Sequence, residues 1–191
     1  MFGTLGYEGA SMERIAKASG VTAAALYYHF ANKRELLAEA MARLAQLVVE
    51  AVYVEPAAIA ADPRAMLERF VSNYIVFQMT KIRSAAPMYS SLVHGVKQKR
   101  SVLTAKQLQH IRNIERGSLE TLRSILAAGT ERGEFSIESP TVTAFAILGM
   151  CEHTLSWVNP QGRSDVHEIA RQHADLALRM TATECAKSLR R

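Results

Sequence analysis

Gly20-Val21-Thr22-Ala23-Ala24-Ala25-Leu26-Tyr27-Tyr28-His29-Phe30-Ala31-Asn32-Lys33-Arg34-Glu35-Leu36 is the stretch on which the fold turns. Glycine takes left-handed backbone at no steric cost, so Gly20 predicts the stop of a short helix running from Ser11 to Ser19. Thr22 offers a hydroxyl to the bare amides of a first turn and predicts a second short helix through Tyr28. Asn32 with Glu35 three residues on forms a capping-box-like start for a third. Ile15, Ala16, Gly20, Val21, Leu26 and Phe30 are spaced to pack the first two across a tight turn. That is a helix-turn-helix, whose second helix is offered to a DNA major groove. Its outward positions would be Thr22, Ala23, Ala24, Tyr27, Tyr28 and His29, with Lys33 opening the next helix.

Each of these residue types has a use on a duplex. The Thr22 and Tyr27 hydroxyls and the Lys33 ammonium suit phosphates, helped by the amides of a helix N-terminus. Ala23 and Ala24 can lie against a thymine methyl, and Tyr28 can reach base edges or the sugar wall. A two-helix turn also occurs in ordinary bundles, where Tyr27, Tyr28 and His29 would be packing aromatics; His29 serves equally well as a structural cap.

Outward from this stretch the chain reads as all-α. Leu36, Leu37, Ala40, Met41, Leu44, Leu47, Val48 and Ala51 form a long stripe at helical spacing. Asp62-Pro63 is a cap followed by proline at the first helical position, leading a helix through Phe77. A shorter helix is expected over Met88 to Val96, a long one from about Thr104 to Arg132 closed by Gly133, and a nearly apolar one from Ser139-Pro140 to Trp157. The last starts around Ser164 and reaches Met180. Glu134 to Glu138 is the one strand candidate and is too short to matter. The expected organisation is a head over residues 1–50, including the start of a connecting helix, and a larger helical bundle over residues 51–191.

The run Gly6-Tyr7-Glu8-Gly9-Ala10-Ser11-Met12-Glu13-Arg14-Ile15-Ala16, continued by the stretch quoted above, resembles the DNA-binding domain of TetR-family (tetracycline-repressor-like) regulators over about the first 45 residues. Leu26-Tyr27-Tyr28-His29-Phe30 followed by Lys33 is the family's signature. The resemblance implies a cytoplasmic bacterial homodimer that binds a palindromic double-stranded operator and leaves it when a small-molecule effector binds. It puts Ser11, Thr22, Tyr27 and Lys33 on phosphates, and Ala23, Ala24 and Tyr28 against bases. Two departures matter. The family has a whole helix ahead of Gly6-Tyr7, and Met1-Phe2 stands where that helix would end, so the expected head has its first helix largely missing, whether by truncation or by a different start. Ala24 stands where the family often has glycine, and the reading surface carries no Arg, Asn or Gln. Modest direct base readout is expected, with more reliance on phosphates and DNA shape.

The body has two expected jobs. The helices ending at Trp157 and Met180 are apolar over more than one stripe, and in TetR-like proteins the last two helices form a four-helix dimer interface. Ala146, Gly149, His153, His173, Ala177 and Met180 are the candidates for it, with intrachain core the competing reading for about half of such side chains. Phe70, Tyr74, Phe77, Tyr89, Met150 and Trp157 line an effector cavity in one reading and simply fill core in the other.

Charge separates these regions. The 191 residues carry 23 Lys+Arg against 18 Asp+Glu, a formal +5, yet residues 1–50 are neutral. Residues 81–132 hold ten basic and three acidic groups, while 51–80 and 133–191 are each −1. The plain reading is a solvated helix face. The sharper one is a groove for an anionic effector, clamped by Arg112 and Arg116. Gly149-Met150-Cys151…Trp157-Val158-Asn159-Pro160-Gln161-Gly162-Arg163 resembles the TetR subgroup concerned with fatty-acid or steroid breakdown, some of whose members respond to acyl-CoA thioesters. An acyl-CoA-like ligand would account for both an apolar cavity and a basic rim.

Enzyme chemistry has no foothold. There is no HExxH, GxSxG, Walker loop or GxGxxG, and the histidines make no metal-ligand set, so neither cofactor nor metal is expected. Two cysteines, Cys151 and Cys185, build no disulfide framework, and no apolar run approaches a membrane span. The reading is a ligand-responsive DNA-binding regulator, most simply a repressor. Its rival is a helical small-molecule-binding or interaction protein with an impaired head.

Overall fold

The computed structural model describes residues 1–82, 102–158 and 165–182, with 3, 4 and 82 described by backbone alone. Among them the regular structure is helical: α1 Phe2–Gly9, α2 Met12–Ala18, α3 Ala23–His29, α4 Lys33–Val52, α5 Pro56–Ala61, α6 Pro63–Phe77, α7 Ala105–Glu131, α8 Pro140–Trp157 and α9 Val166–Met180. A π-helical turn, Gln78–Ile82, extends α6. The helix expected over Met88 to Val96 lies outside the described residues, as do Tyr89 and Cys185.

The helix starts lie where the capping chemistry puts them. Ser11 accepts from the Arg14 amide, Thr22 from Ala25 at 3.1 Å and Asn32 from Glu35 at 3.0 Å. The Glu35 carboxylate reaches back to accept from the Ala31 amide at 3.1 Å, one residue beyond the N-cap amide of the ideal box. Asp62 caps α6 ahead of Pro63, and Ser139 caps α8 ahead of Pro140. Thr104 and Gln107 cap α7 reciprocally, the Thr104 amide donating to Gln107 at 2.9 Å and the Gln107 amide to Thr104 at 3.2 Å. Gly20, at φ +70, ends α2: its amide bonds to Lys17 O and the Val21 amide to Ala16 O, so the chain reverses within two residues.

Three elements are additional to the sequence reading. Residues 2–9 are helical on both sides of a kink at Gly6, with Phe2 buried and its ring stacked on Tyr7 at 6.1 Å. Periodicity does not reveal this segment, because Gly3, Gly6 and Gly9 leave too few apolar side chains to form a stripe. α5 buries only Ile59, too little for a recognisable stripe. The π-helical turn has no sequence signature in these terms.

The residues form two compact units. One unit is Met1–Gln46 together with residues 102–114; the other takes the remainder. The head core contains Phe2, Ile15, Leu37 and Met41, and also Leu103 and Ile111 from the far side of the sequence. A head cut from the first 50 residues alone would lack that wall. In the body, α6 makes its most extensive packing against α9, with α5 and α8 also on α6. Leu67, Phe70, Val71 and Ile75 of α6, Leu122, Ile125 and Leu126 of α7 and Ile147 of α8 are all fully buried.

Candidate functional site

In the head, α2 and α4 are anchored by buried residues and α3 is not. α2 buries Met12, Ile15 and Ala16, and α4 buries Leu37, Met41 and Ala42, while α3 buries none and half-buries Leu26 against the core. α3 is therefore held at the surface, with side chains free to meet something outside the unit. Tyr28 is 85% exposed and meets the His29 ring edge-on at 5.1 Å. Tyr27 is half exposed and its hydroxyl donates to Glu13 at 3.4 Å. Hydrogen bonds from its own amide and from Ser11 hold Glu13 below the usual carboxylate range, with Tyr27 adding to the effect. Desolvation and the Glu13 charge raise Tyr27, which keeps its phenol a donor. Ser11 and Thr22 accept at helix N-termini; the Thr22 hydroxyl proton remains for a phosphate, while that of Ser11 goes to Glu13.

Lys33 is half-buried and engaged within the head. Its Nζ donates to Tyr7 O at 2.7 Å and to Ala10 O at 2.9 Å, and lies 4.3 Å from the Tyr7 ring centroid. A cation among the C-terminal carbonyls of a helix is electrostatically favoured. Here it ties the end of α1 to the start of α4. Lys33 shapes the head from within.

In the body, the structure divides the expected effector residues. Phe70 and Tyr74 are buried on one stripe of α6 with ring centroids 6.3 Å apart; Phe77 and Met150 are half-buried. Arg112 and Arg116 are exposed on α7. Trp157 is 57% exposed and stacks parallel on His173 at 6.1 Å.

The dimer candidates also divide. Ala146, Gly149, His153 and Met180 are exposed, His153 bonding to Ser156. His173 and Ala177 are buried within the chain. Ala170, Ala174 and Ala177 recur at helical spacing on the buried side of α9, where small side chains permit the close approach to α6. His173 is held by Thr154 of α8, Nε2 to Oγ1 3.0 Å, and by Ile169 O, Nδ1 to O 2.8 Å. An unanticipated apolar ridge remains exposed: Val142 and Phe145 on α8, Leu176 on α9, continuous in helical spacing with Ala146, Gly149 and Met180. Among the described residues there is no cluster able to hold a metal ion and no helix long and apolar enough to cross a membrane.

A surface-held helix after a glycine turn, carried on an all-helical body, defines a helix-turn-helix DNA-binding regulator. Residues 1–40 match the family described as bacterial regulatory proteins, tetR family, and residues 60–181 match the tetracyclin repressor-like C-terminal domain. The chain belongs to the TetR family, whose members are ligand-responsive DNA-binding transcriptional regulators and not enzymes. It is similar to the TetR-family transcriptional regulator PfmR from Thermus thermophilus, at 30% identity over 96% of this chain and 94% of that one, TM-score 0.73. It is also similar to a tetR-family regulatory protein from Rhodococcus RHA1, at 25% identity, 95% and 90% coverage and TM-score 0.72. AibR, solved in complex with isovaleryl coenzyme A and operator DNA, is 27% identical over 94% of this chain and 91% of its own, TM-score 0.68. No curated protein matches the chain.

Proposed function

We propose that the protein is a homodimeric repressor that an acyl-CoA thioester releases from a palindromic operator. The observation that carries the DNA half is α3 itself: a helix with no buried residue, fixed by capped neighbours, is a surface prepared for a partner. Tyr28 would meet base edges, Ala23 and Ala24 the groove floor, and Ser11, Thr22 and Tyr27 the phosphates, with reading helices of a dimer about 34–36 Å apart. The absence of Arg, Asn and Gln from α3 leaves much of the selectivity to groove shape. The ridge of Val142, Phe145, Leu176 and Met180 would face a second copy, since a continuous apolar patch of this kind marks an interaction site.

The effector class is supported by the relative that binds isovaleryl coenzyme A and by the basic surplus of residues 81–132, of which Lys106, Arg112 and Arg116 stand exposed on α7. α7 and α4 each contribute to both units, so a ligand that favours one arrangement of the body biases the head by its differential affinity, about 1–3 kcal/mol in such systems.

The test is selection of binding duplexes from a random pool, followed by titration of the selected operator with and without isovaleryl-CoA. The expected result is a palindromic consensus whose binding weakens at least fivefold with the thioester. No selected sequence would end the operator reading, and an affinity indifferent to a panel of acyl-CoA thioesters would end the effector assignment. Phe145→Glu should convert the dimer to monomer in sedimentation; an unchanged dimer would place the interface elsewhere.

A further inference from the structure

The buried stripe of α6 runs Leu67, Val71, Tyr74 and then Gln78, each on the inward side of successive turns. Where the pattern calls for another apolar side chain, the sequence supplies a carboxamide. Gln78 is completely buried, and neither Oε1 nor Nε2 has a hydrogen-bond partner. Among the described residues no other side chain leaves a buried polar atom unpartnered: Thr154 and His173 satisfy each other, and the Thr181 hydroxyl donates to Leu178 O at 2.8 Å. Proteins rarely shut an amide into an apolar interior without a partner, and each exception calls for a reason.

A second observation falls on the same residue. The α-helical ladder of α6 gives way at Gln78 to the π-helical turn Gln78–Ile82. A π-helical turn widens the backbone locally, is rare, and is frequent at functional sites. The inward face of the preceding two turns carries Phe70 and Tyr74. Apolar and aromatic walls with one polar group of fixed position are the usual composition of a small-molecule site.

We infer that the Gln78 carboxamide is the polar anchor of the effector site, donating through Nε2 to the carbonyl of an acyl thioester and accepting at Oε1 from the amide N–H beyond its sulfur. This deepens the effector reading above and rests on it. The ligand chemistry fits the two vacant functions together: a cysteamine-linked acyl thioester presents a carbonyl acceptor and an N–H donor on either side of the sulfur. Without ligand the amide is buried with neither atom partnered, and with ligand both of its atoms are satisfied. The differential affinity that an effector needs is thereby located at one side chain.

The test compares wild type with Gln78→Met, which keeps the length of the side chain and removes both polar atoms. The probes are isovaleryl-CoA, the small thioester S-isovaleryl-N-acetylcysteamine, which lacks the nucleotide, and the thioether of CoA with the same branched chain, which lacks the carbonyl. Calorimetry should show thioester binding weakened at least tenfold by the substitution and thioether binding weakened less. The ligand-free melting temperature should stay level or rise, because an unpartnered amide has been removed. Equal thioester affinity in variant and wild type overturns the role of Gln78 while leaving the effector reading standing. A fall in the ligand-free melting temperature also overturns it, since the amide would then have a partner in the empty protein. If wild type binds none of the three, the acyl-thioester reading fails and the anchor fails with it.

Discussion

The head and the body hold their working groups in opposite ways. In the head the candidate contacts lie outside: α3 buries nothing, Tyr28 is almost wholly exposed, and the helix is fixed by hydrogen bonds to residues near in sequence. In the body the polar groups of interest lie inside: Gln78 is buried without a partner, and Thr154 and His173 meet between α8 and α9. A surface site held by local caps tolerates changes at its tips. A site made of core does not, because each of its side chains is also packing. Substitutions in the head should therefore separate DNA binding from stability, and substitutions in the body should not.

Cys151 gives the largest effect. Burial, reinforced by Glu152, pushes its thiol up to about 12. Three units above its ordinary 9.0 leaves roughly a thousandfold less thiolate at neutral pH. Peptide-mapped alkylation of the native protein should leave Cys151 unlabelled until denaturant is added, and rapid native labelling would mean that the body core opens. Gly129→Ala comes next. A Cβ there would stand 2.1 Å from the Phe135 ring, itself buried, so ring and helix cannot both keep their places. A loss of about 3 kcal/mol is expected from the overpacking, read as a denaturant midpoint shifted down at constant slope. A neutral result would show that the body yields as readily as a surface.

Lys33→Ala tests the comparison from the other side, because among the proposed DNA contacts its side chain also bonds to backbone carbonyls within the head. Two charge-assisted bonds and the Tyr7 ring contact are lost, so about 2 kcal/mol of stability should go. Operator affinity should fall with it, while the salt slope of binding changes by well under one unit. A full unit of slope at unchanged stability would return Lys33 to the phosphates. Tyr28→Ala should do the reverse: roughly tenfold weaker operator binding, about 1.4 kcal/mol, at an unaltered melting temperature.

The sequence is legible where local chemistry decides the structure. Ser11, Thr22, Asn32, Asp62 and Ser139 announce their helices, and Gly20 announces the turn, because a cap and a left-handed residue involve only neighbours in the chain. It is less legible where two faces compete for one partner. α9 has alanines on one side and Leu176 and Met180 on another, and both sides look suited to a partner helix. Only the packing within the chain assigns Ala177 and His173 to the interior. Lys33 is read outward for the same reason: nothing local tells that the carbonyls of Tyr7 and Ala10 lie within its reach. Gln78 is the counterexample. A glutamine on the apolar stripe Leu67, Val71, Tyr74 is visible without coordinates, and stripe-breaking polar residues are a signal worth following.

The burial of His173 supplies the smallest and most discriminating prediction. Its Nδ1 lies 2.8 Å from Ile169 O and must carry the proton to donate there; in the neutral ring Nε2 then accepts from the Thr154 hydroxyl. Thr154→Val keeps the volume and removes that donor, leaving a buried nitrogen unpaired. A cost of about 1 kcal/mol follows, or about 2–4 °C for a chain of this size, with Thr154→Ser restoring it. Because both residues are buried within the chain, the dissociation constant of the dimer in sedimentation should not move. If it did move while the melting temperature held, the Thr154–His173 pair would belong to the subunit interface, and the division between an inward α6-facing side and an outward ridge on α9 would be drawn in the wrong place.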